Sequence, residues 1–303
     1  MKSFFQIKTD FENSRLDRWF RKNVSDVPQS LIEKNIRKGN IKVNNTKKKG
    51  SYKLKLSDKI SIFNIKFTKD KNKKKTIKYK ATNKELLFSS SIFIEDNENF
   101  VVINKPAGIP VQSGTKSIRN LMDILRDTPE FKNFSPFSVH RLDKETTGIL
   151  IVAKNRKYAQ LFTSLFRIRK IHKVYLGVVL GRMAKKKGTL INELLTYEGK
   201  KVIKNKAITH YSVLNDSNNY SLLKLSPETG RKHQIRKQLL IHGNPILGDS
   251  KYRLSNNTTK KKNVLMLHAF KINFSINNVR YNFTAKPSDY FEKTINEKYL
   301  KIF

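Results

Sequence analysis

The chain of 303 residues contains no cysteine, which excludes a disulfide scaffold, a thiolate metal site and a cysteine nucleophile together. Acids are scarce, with 24 Asp and Glu against 63 Lys and Arg. The formal net charge of +39 repels itself, and the partner that makes it useful is a polyanion. Long apolar runs are missing as well. The longest, 148–153 and 264–270, fall far below the roughly 18 residues of a membrane span. The first 13 residues offer only Phe4-Phe5 before the acids Asp10 and Glu12, so they lack the apolar stretch of a secretory signal. These absences predict a soluble, cytoplasmic protein with no membrane partner. Without a seam of apolar heptads, it is expected to be a monomer.

Motifs are missing in the same way. His140, His172, His210, His233, His242 and His268 form no H-x-H or H-E-x-x-H pair, so no metal is expected. There is no G-x-x-x-x-G-K-[ST] loop, G-x-G-x-x-G turn or G-x-S-x-G elbow. ATPase, dehydrogenase and serine-hydrolase chemistry lose support, and no cofactor is expected.

What is present suffices for a core: 38% of residues are hydrophobic and 10% aromatic. The length suggests two domains. Lys outnumbers Arg throughout, so compositional bias explains part of the charge, and arrangement has to decide how much of it is functional.

Leu16, Trp19 and Phe20 recur at i, i+3, i+4 and predict a short helix flanked by Arg15, Arg18, Arg21 and Lys22. After Val27-Pro28, the spacing of Ser30 and Glu33 predicts a capping box. It opens a second helix that turns Leu31, Ile32 and Ile36 inward and stops at Gly39. Ile41 and Val43, then Tyr52, Leu54 and Leu56, then Ile60 and Ile62 alternate as short strands. With Ser14-Arg15-Leu16-Asp17 and Arg37-Lys38-Gly39-Asn40-Ile41-Lys42-Val43-Asn44, residues 13–63 resemble an S4 RNA-binding domain. The resemblance implies RNA contacts from Arg15, Arg21, Lys22, Lys34, Arg37 and Lys38. Residues 69–84 hold eight lysines and one acid, so 64–90 is expected to be a basic linker.

Residues 91–303 change character. Strands are predicted at 100–103, 148–153, 173–180, 208–214, 220–225 and 265–270, with a helix at 157–166 presenting Tyr158, Leu161, Phe162 and Leu165. Many strands with few helices between them predict an α+β fold on a mixed, largely antiparallel sheet. Directly before the apolar strand lies Ser138-Val139-His140-Arg141-Leu142-Asp143-Lys144-Glu145-Thr146-Thr147-Gly148. Charge at the mouth of a buried strand can hold a reactive side chain on rigid support. Taken alone, Asp143 reads equally well as a turn aspartate.

Further stretches shift that balance. Asn104-Lys105-Pro106-Ala107-Gly108, His140-Arg141-Leu142-Asp143, Lys173-Val174-Tyr175, Gly230-Arg231-Lys232-His233-Gln234-Ile235-Arg236, and 243–252 with Pro245-Ile246-Leu247-Gly248-Asp249 occur in the order of one family. The chain resembles the RNA pseudouridine synthases of the RluA/RluC/RluD type, and in character the RluC-like branch acting on large-subunit (23S) ribosomal RNA. The resemblance implies an isomerase that breaks the N1–C1′ bond of a flipped-out uridine and rejoins the base through C5. It implies that Asp143 acts at the sugar, as nucleophile or as base, and that Arg236 is its paired cation. Tyr175 would stack on the uracil and assist removal of the C5 proton. Arg141 would fill the vacated position, Arg231 and Lys232 would contact backbone, and His140 would border the RNA, more as an orienter of its loop than as acid or base.

Gln112, Lys237-Gln238 and Asn244 depart from the family's usual residues, which bears on RNA contacts more than on chemistry. Two other classes compete. A non-catalytic ribosome-assembly protein would not need Asp143, Tyr175 and Arg236 together. A nucleoside glycosidase wants a second carboxylate, and Glu145 is not identified as one.

Overall fold

The computed structural model describes residues 2–7, 11–25, 27–63, 65, 82, 91–112, 119–198, 201–254 and 264–302. The lysine-rich linker lies outside them, apart from residues 65 and 82. Two compact units divide the chain, Met1–Thr76 and Ile77–Phe303.

In the first unit, the i, i+3, i+4 spacing places Leu16, Trp19 and Phe20 on the buried side of α1 (Leu16–Asn23). Helix α2 (Gln29–Lys38) buries Ile32 and Ile36 and ends at Gly39, whose left-handed φ of 79° suits glycine. The capping box does not form. The helix begins at Gln29, so Ser30 already lies within it, and Pro28 at the N-cap has no side-chain cap. Leu31 is exposed rather than inward, because one helical step of about 100° carries it off the stripe of Ile32 and Ile36. Three strands, β1 (Lys2–Gln6), β2 (Ile41–Val43) and β3 (Lys59–Phe63), form an antiparallel sheet in the order β1-β3-β2. The unit thus takes in a strand that lies before residue 13. The expected strand through Tyr52, Leu54 and Leu56 is an irregular segment. Leu54 is buried, while Leu56 is exposed and Ser57 turns the chain with φ 71°.

The second unit is built on one sheet. Its strands are β4 (Phe93–Asp96), β5 (Phe100–Lys105), β6 (Phe137–Ser138), β7 (Thr147–Ala153), β8 (His172–Leu180), β9 (Lys187–Glu198), β10 (Lys201–Asp216), β11 (Tyr220–Pro227), β12 (Leu267–Ile276) and β13 (Val279–Thr284). The order is β4-β5-β7-β12-β8-β11-β10-β9, with β13 on β12 and β6 on β7. Among the described pairs only β7 and β12 run parallel, which matches the expected mixed, largely antiparallel α+β sheet. The helices are α3 (Leu121–Arg126), α4 (Arg156–Arg167), α5 (Gln234–Ile241) and α6 (Asp289–Glu297).

Strand β7 buries every residue after Thr147 and lies between β5 and β12. Where it meets β12, Gly148 has φ 105°, and a Cβ there would strike the Ala269 carbonyl. That close approach sets the loop before β7 beside the start of β12. Tyr175 of β8 is paired with Ala269 of β12 and Leu225 of β11 and packs where two core clusters meet.

Candidate active site

A cleft of about 730 Å³ in the second unit is lined by residues 139–143, Tyr175, 227–236 and the α4 end with Phe166, Arg167 and Arg169. Asp143, Tyr175, Arg236, Arg141, His140, Arg231 and Lys232 all face it. Sequence positions almost a hundred residues apart therefore converge on one surface.

The Asp143 loop is tied down from several sides. The Thr146 N–H donates to the Asp143 carbonyl at 3.2 Å, and the Gly108 N–H to the Lys144 carbonyl at 2.9 Å. Lys105, fully buried, sends its Nζ to the carbonyls of Pro106 at 2.7 Å and Lys144 at 3.1 Å. Burial pushes this ammonium down to about 8, against the opposing pull of Glu145 and Asp143. The N-K-P-A-G stretch is thus a brace under the loop.

His140 is placed differently from an RNA contact. Its Nε2 accepts the Ile151 N–H at 2.9 Å, and its ring packs on Phe166 with centroids 4.5 Å apart. Burial, aided by the Lys173 charge, pushes it down to about 3. A neutral ring bonded into β7 ties the start of the Asp143 loop to the sheet and brings no cation to the cleft.

Arg236 sits on the first turn of α5, which the preceding residues anchor. Gln234 donates to the Ile208 carbonyl at 3.0 Å and accepts from the Arg231 N–H at 3.0 Å and the Thr229 hydroxyl at 2.7 Å. Arg236 Nη1 donates to Asp143 Oδ2 at 3.1 Å. Its stronger bonds go to a residue that motif spacing did not single out as functional: Nε and Nη2 grip Asp249 at 2.6 and 2.7 Å. Burial would raise the Asp249 carboxyl, but Arg236 and the Tyr252 and Lys251 N–H groups outweigh it and hold it below the usual range. Two further residues were missed. His233 has Nε2 3.5 Å from Asp143 Oδ1, and Tyr252 has its hydroxyl 2.8 Å from His233 Nδ1. The available signals were the histidine inside the 230–236 motif and the Gly248-Asp249 turn. There φ of Gly248 is 78°, and a Cβ would strike the Val264 carbonyl.

Burial, reinforced by the Asp143 charge, pushes the Tyr175 phenol far up. A phenol that stays protonated suits a stacking ring and disfavours a phenolate base for the C5 proton. Two of the departures turn inward. Gln238 is fully buried and donates to the carbonyls of Leu190 at 2.9 Å and Ala207 at 3.2 Å. Asn244 donates to the Leu180 carbonyl at 2.9 Å. They knit the sheet together.

In the first unit, Arg21, Lys22, Lys34, Arg37 and Lys38 are exposed. Arg37 shares a shallow groove with Arg15 and with Lys47, Lys48 and Lys49, three lysines that the sequence expectations left out. Arg15 is already occupied, with Nε and Nη2 on Asp17 at 3.1 and 2.6 Å. One edge of its guanidinium is thus committed to a carboxylate. Among the described residues no group of His, Asp or Glu is arranged to hold a metal ion, and no helix is long and apolar enough to cross a membrane.

The RNA pseudouridylate synthase family model matches residues 99–240. Ribosomal large subunit pseudouridine synthase C of Buchnera aphidicola subsp. Baizongia pistaciae is 33% identical over 96% of each chain. The protein of the same name from Haemophilus ducreyi is 32% identical over 97% of this chain and 95% of its own. Among solved structures, human RNA pseudouridylate synthase domain containing 4 is 26% identical and superimposes with a TM-score of 0.59. That match covers 72% of this chain and 98% of the human one.

Proposed function

Because the chain belongs to the RNA pseudouridylate synthase family and is an enzyme of that kind, we propose that it isomerises uridines of large-subunit ribosomal RNA, with Asp143 as the reacting group. The observation that carries the substrate is the 33% identity over nearly the full length of a large-subunit synthase. The observation that carries the site is a carboxylate facing the cleft with one oxygen on a buried arginine.

The reaction breaks N1–C1′, forms C5–C1′ and replaces the proton lost from C5 by one gained at the freed N1, with no net change in composition. Asp143 acts at the sugar while Arg236 keeps it oriented through the bond from its Nη1. The Tyr175 ring supports the detached base, and Arg141, exposed on the cleft wall, takes the place of the flipped nucleotide. The helix pair and basic groove of the first unit act as an S4-like RNA-binding domain, with Arg37 and Lys47–Lys49 on the RNA backbone. A cytoplasmic location follows from a ribosomal substrate.

The glycosidase alternative is the weaker one. Among the described residues the cleft presents two carboxylates, Asp143 and Glu228. Glu228 is engaged by His210 at 2.7 Å and by Arg169 at 3.9 Å. The deciding experiment incubates the full chain with unmodified large-subunit RNA and maps pseudouridine. Asp143→Ala is expected to lose at least roughly 1,000-fold in rate while keeping its fold and RNA affinity. Free uracil would support the glycosidase, and no product on any ribosomal RNA would support a binding protein.

A further inference from the structure

Asp249 and Tyr252 stand outside the reacting set, yet both are bonded to the residues that hold Asp143. The Asp249 carboxylate takes one edge of Arg236 and also accepts the N–H groups of Lys251 and Tyr252 at 2.9 Å each. One acid thus fixes both the arginine and the turn that presents Tyr252. The Tyr252 ring lies 5.0 Å from the Arg236 guanidinium, and its hydroxyl meets His233 Nδ1. His233 Nε2 faces Asp143 Oδ1, while Arg236 Nη1 bonds Oδ2. The two oxygens of Asp143 are therefore addressed by two different residues, and both of these are organised from the 249–252 turn.

A neutral imidazole carries one N–H. Beside an anionic oxygen that proton belongs on Nε2, which leaves the Nδ1 lone pair to accept the Tyr252 O–H. The opposite tautomer would set a lone pair against a carboxylate. Burial, together with the charges of Arg236, Lys251 and Lys232, outweighs Asp143 and lowers the His233 pKa, favouring the neutral ring. The 3.5 Å separation is long for a hydrogen bond, and such contacts in unliganded sites tighten once substrate is bound.

We propose that His233 is a positioning residue whose tautomer is set by the Tyr252 hydroxyl, so that its Nε2–H steadies one oxygen of Asp143 as Arg236 steadies the other. The inference rests on Asp143 as the reacting group. A rival account needs only the backbone: His233 has φ 55° and ψ 32°, a left-handed conformation that asparagine tolerates well and glutamine poorly. The two accounts predict opposite orders. The amide of His233→Gln can imitate the Nε2 donor, whereas that of His233→Asn reaches only the Nδ1 position.

Single-turnover rates on saturating RNA are expected to fall roughly 10- to 100-fold for His233→Asn, as for a lost charge-assisted hydrogen bond. His233→Gln should remain clearly faster than His233→Asn, with RNA affinity unchanged in both. A reversed order overturns the proposal. Asp143→Asn is measured alongside: if it retains activity, the reading of Asp143 falls, whereas an inactive Asp143→Asn with the reversed order sinks only the role of His233. Ring ¹⁵N shifts of His233 in the unaltered protein need no variant. A proton on Nε2 at neutral pH is expected, displaced towards a mixture by Tyr252→Phe, and a proton on Nδ1 would overturn the assignment.

Discussion

Each unit contains an arginine that grips an aspartate with two nitrogens, and the two pairs serve different ends. In the first unit Arg15 and Asp17 are two residues apart, and the arginine is half exposed. The buried Asp17 also accepts from Gln29 at 2.9 Å and from the Arg18 N–H at 2.7 Å, so the pair joins the start of α1 to α2. In the second unit Arg236 and Asp249 are both buried, and the arginine still has Nη1 for a second carboxylate 93 residues away. A local fork whose arginine is half in water is an anchor. A buried fork with one donor left over becomes a means of orienting a second carboxylate, here Asp143 in the cleft.

The sharpest way to break this comparison is to remove each acid. Asp249→Ala leaves a desolvated guanidinium short of a partner and is expected to destabilise the second unit by about 3 to 5 kcal/mol. Asp17→Ala leaves Arg15 half in water but also takes a partner from Gln29 and the Arg18 N–H, and should cost less, about 1 to 2 kcal/mol. Urea titrations can separate the two, since the single tryptophan, Trp19, is buried in the first unit and hydrogen exchange of β7 and β12 reports the second. Equal losses would show that burial of the arginine is not what distinguishes the forks.

Lys105 extends the comparison to a buried cation bonded to carbonyls instead of a carboxylate. Its folded value of about 8 lies below the unfolded 10.5. Between those pH values the unfolded chain holds a proton that the folded chain lacks, so stability rises with pH across that window, by up to roughly 3 kcal/mol. Denaturation midpoints from pH 7 to 11 should show a rise that Lys105→Met lacks, and an unchanged slope in the variant would count against it.

The smallest effect concerns RNA binding. Arg15 is engaged with Asp17, so Arg15→Ala should hardly alter the salt dependence. Arg37→Ala should reduce the log–log slope by roughly 0.7 to 0.9, the share of one phosphate contact. Anisotropy titrations from low to high salt would settle the order, and a larger change from Arg15→Ala would make the first fork a binding element after all.

Much of this was legible from residue order. Leu16, Trp19 and Phe20 announced α1, Gly39 announced the end of α2, and the apolar run 148–153 announced β7. These signals are local, because helical and strand periods repeat within a few residues. The strands β1 and β9 and the first half of β10 were missed for a related reason. Residues 2–6 gain their partner only from β3, more than fifty residues later. In β9, the buried Leu190 and Leu194 alternate with exposed Ile191 and Leu195, so apolar residues occupy both faces and no single face stands out. Ser30 and Glu33 misled because a favourable spacing cannot tell whether the helix starts a residue earlier.

Composition, and motifs in the order of one family, were enough to place the chain among RNA-modifying enzymes, to foresee its α+β sheet and to nominate Asp143, Tyr175 and Arg236, which the fold brings to one cleft. Which nitrogen of Arg236 serves Asp143, which acid holds the rest of it, and that His233 and Tyr252 belong to the same network became visible only in the folded chain. Residue types state what bonds a side chain can make. Which of them it does make is settled by burial, which strips away water as a competitor, and by distances among segments that only the sheet brings together.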